Sequence, residues 1–154
     1  MSGVIFQALK NLALQPIRRY APLVGRLLIA PIFIISGLAH IANGSSTIET
    51  MQAFRFPLPY FFLGLAVIFL LAGGLSILIG FRARLGALLL ILFLIPATLV
   101  FHAFWTFPQE EMQAQTIHFL KNLAIMGGLM TILQNGAGPV SIDATQGRCD
   151  RDTE

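Results

Sequence analysis

The chain predicts an all-α, polytopic membrane four-helix bundle, and three observations carry that reading. Four apolar stretches, 21–42, 58–80, 83–104 and 115–134, fill most of the 154 residues. A helix rises about 1.5 Å per residue, so about 20 residues match a hydrocarbon core about 30 Å thick. Composition agrees: 56% of residues are hydrophobic, only 11% are charged, and the mean hydropathy is +0.77. Four spans leave only short connections, so one helical domain is expected at 21–134, between an N-terminal segment 1–20 and a tail 135–154. Such a chain has no room for a separate soluble catalytic domain.

Residues 4–14 lack a small-residue cleavage site and are interrupted by Lys10 and Asn11. Val4, Ile5, Ala8, Leu9 and Leu12 recur at helical spacing, which predicts a short interfacial helix ending at Pro16. Span one follows, with Pro31 inside it. The first connection, 43–57, reads as a turn at Asn43-Gly44-Ser45 and a short surface helix. Ser46 and Glu49 have the spacing of a capping box, and Ile48, Met51 and Phe54 share a face. Phe56-Pro57-Leu58-Pro59 then turns the chain into span two. Gly80 and Arg84 bracket the tight turn into span three, which contains Pro96, and 105–114 connects to span four.

The net charge of +3 and pI near 9.6 follow from membrane insertion rather than from a nucleic-acid partner. Lys10, Arg18, Arg19, Arg26, Arg82, Arg84, Arg148 and Arg151 fall on one side of a four-span chain, leaving Arg55 and Lys121 towards the other. The positive-inside rule then places both termini in the cytoplasm. Cys149 is the single cysteine, fits no metal or redox spacing, and reads as a tail thiol.

Glycine clusters mark expected close crossings: Gly73 and Gly74 in span two, Gly127 and Gly128 in span four. Polar residues inside spans are costly and need an explanation. Arg26 can snorkel to headgroups or make a buried structural contact. The three histidines share one depth, since His40 ends span one, His102 ends span three, and His118 opens span four with Lys121 and Asn122. Aromatic residues including Phe54, Phe56, Phe101 and Trp105 lie around them at the same level.

Interface anchoring and helix register account for this belt without any ligand. A cavity lined by His, Lys, Asn and aromatic rings would equally suit a flat amphiphile with hydrogen-bonding carbonyls, such as a quinone, or a lipid. No histidine pair has i,i+4 spacing on one helix and no Cys or carboxylate shares their spans, so no metal site is assigned. No pattern assigns a catalytic residue.

Several motifs resemble those of the DoxX family of small membrane proteins. They are Gly25-Arg26-Leu27-Leu28 with Phe33-Ile34-Ile35-Ser36-Gly37, Ala72-Gly73-Gly74-Leu75 with Gly80-Phe81-Arg82-Ala83-Arg84, and Phe101-His102-Ala103-Phe104-Trp105. Phe119-Leu120-Lys121-Asn122-Leu123 with Gly127-Gly128, and Gly138-Pro139-Val140-Ser141-Ile142-Asp143, complete the series in order. The resemblance implies a four-helix inner-membrane protein and an accessory role beside a quinone-linked oxidoreductase, with the cofactor on the partner. It directs attention to Phe101-His102 and Lys121-Asn122. Two departures stand out: His40 replaces a lysine common in relatives, and Phe69-Leu70-Leu71 lacks their acidic residue before the double glycine. The competing expectations are a lipid or small-solute binding protein, and a structural subunit that docks on a partner or on its own copies.

Overall fold

The computed structural model describes the backbone of residues 2–149 and, in full, residues 14–147. Its elements are α1 (Ser2–Ala42), α2 (Gly44–Ala53), α3 (Pro59–Ile79), α4 (Ala83–Phe101), a 3-10 turn (Phe104–Thr106), α5 (Gln109–Asn135) and α6 (Ile142–Cys149). No strand occurs among the described residues. Four helices are long and apolar enough to cross a membrane: Leu14–Ala42 of α1, α3, Ala83–Thr106 and α5. The side-chain pattern expected for Val4 to Leu12, the Cys149 thiol, and Lys10, Arg148 and Arg151 lie outside the fully described residues.

Three boundaries differ from the sequence expectation. The helix expected to end at Pro16 does not end there, because α1 is continuous through Pro16, Pro22 and Pro31. A proline removes one backbone hydrogen bond and bends a helix, and it terminates one only when the flanking residues also favour another conformation. Second, α2 begins at Gly44 with Asn43 as N-cap, and no side chain caps it. The Asn43 side chain donates instead to the Ala39 carbonyl, 3.2 Å away. Ser46 therefore lies inside the first turn, and the Ser46–Glu49 capping box has no terminus to cap. Third, α5 starts at Gln109, six residues before the apolar stretch. Pro108 precedes it as N-cap, and Glu110 and Glu111 in its first turn complement the positive end of the helix dipole.

The transmembrane helices pack in a chain of neighbours, α1 on α3, α3 on α4 and α4 on α5, while α1 and α5 barely touch. Ala30, Phe33, Leu70, Ile77, Leu90, Leu94 and Leu129 form the buried core. Between apolar helices in lipid, close packing supplies the attraction that water exclusion supplies elsewhere. A Cβ on Gly73 would stand 2.7 Å from Leu90 Cγ and 3.0 Å from the Gly86 carbonyl, so Gly73 brings α3 and α4 together. Gly74 does the same towards α1, with Ile34 Cγ1 at 2.9 Å. Gly128 faces only the flexible tip of Ile29, and nothing lies within 4 Å of a Cβ on Gly127.

At the end of the bundle that carries the α3–α4 turn, Arg26 is buried, with only 2% of its surface exposed. Its Nη1 donates to the carbonyls of Ile77 at 3.0 Å and Leu78 at 3.2 Å. Its Nη2 donates to the Val140 carbonyl. The last carbonyls of a helix have no intrahelical donor, and the guanidinium supplies one for α3 while holding the tail against it. The structure thus resolves the two readings of Arg26 in favour of a buried structural contact over snorkelling. Asp143 completes the lock: Oδ1 accepts from the Arg82 amide at 2.7 Å and Oδ2 from the Ala83 amide at 3.1 Å. The Asp143 amide donates in turn to the Gly80 carbonyl at 2.9 Å. A carboxylate from the tail therefore caps α4 across about sixty residues of sequence.

Candidate functional site

At the opposite end, α2 folds over the bundle and forms one side of a half-open cavity of about 740 Å³. Its position follows from the turn before α3. Arg55 and Leu58 both adopt left-handed backbone (φ 52° and 47°), and Pro59 opens α3, which folds α2 back over the helix ends. The size falls within the range of small-molecule pockets.

The walls are amphipathic. Towards the membrane middle they are apolar, with Phe33, Leu70, Phe93 and Leu94; towards α2 they carry His40, Thr47, Thr50, His102, Gln115 and Asn122. Aromatic rings frame the polar end. Phe101 meets Phe54 edge-on at 5.2 Å and stacks on Phe56 at 6.0 Å, and Phe56 meets Phe62 at 5.1 Å. Pro96 also lines the cavity, and its missing amide leaves the Leu92 carbonyl without a helical donor.

Hydrogen bonds orient the polar groups. His40 Nδ1 lies 3.3 Å from Thr47 Oγ1. The Thr47 hydroxyl donates to the Asn43 carbonyl at 3.1 Å, so Thr47 accepts from His40 and Nε2 is left as the imidazole's other polar atom. His102 Nδ1 lies 2.9 Å from Gln115 Oε1, which assigns it the same tautomer. Asn122 Nδ2 donates to Thr98 Oγ1 at 3.0 Å, leaving its carbonyl oxygen as an acceptor. Nε2 of both rings and the Asn122 carbonyl oxygen are left as acceptors, and the second Asn122 amide hydrogen as a donor.

The six expected site residues separate into two groups. His40, His102 and Asn122 line the cavity, whereas His118, Lys121 and Trp105 do not. His118 stacks on His102 from outside, with ring centroids 5.1 Å apart. Trp105 packs with Phe104 and Phe119 at 5.0 and 5.9 Å, in a separate aromatic cluster between the 3-10 turn and α5. Lys121 is exposed on α5. Sequence reasoning missed Thr47, Thr50 and Gln115. The spacing of Gln115, His118 and Asn122 at i, i+3 and i+7 carried the signal for Gln115, but the fourth span was drawn to begin there. Among the described residues no three His, Cys, Asp or Glu side chains gather as metal ligands would.

The helices and cavity define a polytopic membrane protein of four spans with an amphipathic chamber at one end. A DoxX family model matches residues 21–103, and a SURF4 family model matches residues 74–148. The chain is 34% identical over 121 residues to the inner membrane protein YqjF of Escherichia coli (strain K12), covering 79% of this chain and 88% of that relative. It is 26% identical over 121 residues to the inner membrane protein YphA of the same organism, covering 79% and 86%. The Surfeit locus protein 4 homolog of Schizosaccharomyces pombe (strain 972 / ATCC 24843) is 33% identical over 69 residues, 44% of this chain and 23% of that protein. No solved structure matches. The chain belongs to the DoxX family.

Proposed function

We propose that this DoxX-family protein resides in the inner membrane and holds the polar head of a small amphiphile in the cavity beneath α2. In this reading a quinone is the ligand, and the protein is an accessory to a quinone-linked oxidoreductase that carries the catalytic cofactor. The observation that supports it is the division of the cavity, with His40, His102 and Asn122 at one end and an apolar, aromatic-walled floor at the other. A quinone ring offers two carbonyl acceptors on a flat apolar body. The second Asn122 amide hydrogen, not used on Thr98, suits a carbonyl, and Phe54, Phe56 and Phe101 suit the ring faces. The quinone would supply two-electron redox chemistry when bound. The residues of this chain orient it, and Asn122 gives a carbonyl a hydrogen-bond donor.

The positive-inside rule supports cytoplasmic termini, which sets this cavity at the outer face. The relatives named as inner membrane proteins support the location. The test is mass spectrometry of organic molecules retained by protein purified in mild detergent, wild type against a His40→Leu/Asn122→Leu double variant. Stoichiometric quinone in the wild type, lost from a folded variant, is the expected result. Equal amounts of bulk phospholipid in both, with no quinone, would refute the quinone assignment. A different amphiphile displaced by the variant would keep the cavity as a binding site and move the function to lipid or small-solute binding.

A further inference from the structure

A second hollow, of about 580 Å³, lies at the Arg26 end of the bundle. It is bounded by the α3–α4 turn, the end of α5 and the segment leading into α6. Arg82, Arg84, Gly136, Ser141 and Asp143 are among its walls. Neither arginine is held in an ion pair among the described residues. Asp143, the carboxylate in this wall, gives both oxygens to the amides of Arg82 and Ala83, so its charge faces the start of α4. Arg84 donates one Nη2 hydrogen bond to the Gln134 carbonyl at 3.2 Å, leaving most of its donors uncommitted. The Arg82 guanidinium rests over the Phe81 ring, 5.6 Å from its centroid, which restricts its position without neutralising it.

The depth of this hollow in the bilayer follows from the spans. α3 ends at Ile79, α4 begins at Ala83 and α5 ends at Asn135, so both arginines stand where helix ends leave the hydrocarbon. That is the level of phospholipid phosphates. A guanidinium presents a planar fork that matches two phosphate oxygens, and two uncompensated forks at headgroup level form a basic pocket between helices. The exposed apolar side chains of Ile79 and Leu85, both about half exposed, continue from the hollow towards the membrane middle.

We propose that this hollow binds an anionic phosphate group through Arg82 and Arg84, the phosphate being that of an anionic phospholipid or of a soluble phosphate ester. This assignment is independent of the quinone reading, since it uses other residues at the other end of the bundle.

The experiment is native mass spectrometry of the full-length protein in detergent with added dioleoylphosphatidylglycerol or dioleoylphosphatidylcholine, and in parallel with inorganic phosphate. The proteins are wild type, Arg82→Gln/Arg84→Gln, Arg82→Lys/Arg84→Lys and the control Arg18→Gln/Arg19→Gln, which removes the same charge elsewhere. The expected result is one phosphatidylglycerol retained by wild type in preference to phosphatidylcholine. Affinity should fall by about tenfold or more in the glutamine variant at positions 82 and 84, less in the lysine variant, and little in the control. If phosphatidylglycerol is not retained but inorganic phosphate raises the melting temperature of wild type and not of the variant, the ligand is a soluble phosphate. Equal retention of both lipids without a phosphate effect, or an equal loss in the control, overturns the proposal. If the glutamine variant does not fold, the lysine variant set against the Arg18→Gln/Arg19→Gln control decides the matter, and equal retention by the two overturns the proposal.

Discussion

Replacing Gly80 by alanine should destabilise the bundle far more than the same replacement at Gly127. Gly80 has φ +69°, in the left-handed region, where an added Cβ costs about 1–2 kcal/mol. That Cβ would also stand 2.5 Å from Arg26 Nη1 and 2.6 Å from Ser141 Cβ. Nη1 is the atom that bonds Ile77 and Leu78, so the methyl group must displace either the guanidinium or the tail. Losing one charge-assisted hydrogen bond costs about 1.5–3 kcal/mol, which brings the sum to roughly 2.5–5 kcal/mol. Gly127 has nothing within 4 Å and sits mid-helix. There alanine removes backbone freedom from the unfolded chain and should gain up to about 1 kcal/mol. Reversible unfolding in mixed micelles of mild detergent and dodecyl sulfate, followed by circular dichroism, measures both. Two variants within about 1 kcal/mol of each other would refute the lock between Arg26, the turn and the tail, because the argument requires a difference of at least about 2.5 kcal/mol.

Other consequences of the same geometry can be checked alongside. Asp143→Ala should cost about 1–2 kcal/mol by uncapping α4, and Asp143→Asn should recover part of that loss, since one amide acceptor remains; the same unfolding assay reads both. Gly73→Leu should prevent α3 and α4 from closing and give aggregated or degraded protein on size exclusion, because both Leu90 and the Gly86 carbonyl stand in the way. Asn122→Leu removes the Thr98 hydrogen bond and should cost only about 0.6–2 kcal/mol, as membrane hydrogen bonds do, while abolishing retention of the cavity ligand. Arg55→Gly should leave stability unchanged or raise it by about 1 kcal/mol, because φ is 52° there and glycine takes that conformation without strain; a fall in melting temperature would contradict this.

Much of the candidate site was legible as depth and little of it as direction. Counting residues from the ends of the spans placed His40, His102, His118 and Asn122 at one level, because a helix advances by a constant rise. Which of them face a common space depends on the rotation of each helix about its axis. Rotation turned His40, His102 and Asn122 inwards, left His118 behind His102 and carried Lys121 away from the cavity, while the 3-10 turn set Trp105 against Phe119 instead. Thr47 and Thr50 entered the site because α2 folds back over the bundle. Spacing within α2 cannot report that fold.

The sequence by itself determined the four spans, the helix between the first two, and the family pattern. These depend on local periodicity and on a hydrocarbon thickness common to bilayers. The start of α5 escaped it because the polar turn from Gln109 is helical for capping reasons, not apolar ones. Only the tertiary structure decided what Arg26 does. A guanidinium near a helix end is equally consistent with snorkelling until the partner carbonyls of Ile77 and Val140 are known, and these lie 51 and 114 residues away. The same holds for the carboxylate of Asp143 on the first amides of α4. Contacts between residues so far apart arise from the packing of helices whose apolar faces constrain their neighbours only loosely, and small residues such as Gly73, Gly74 and Gly80 set how close those neighbours can come.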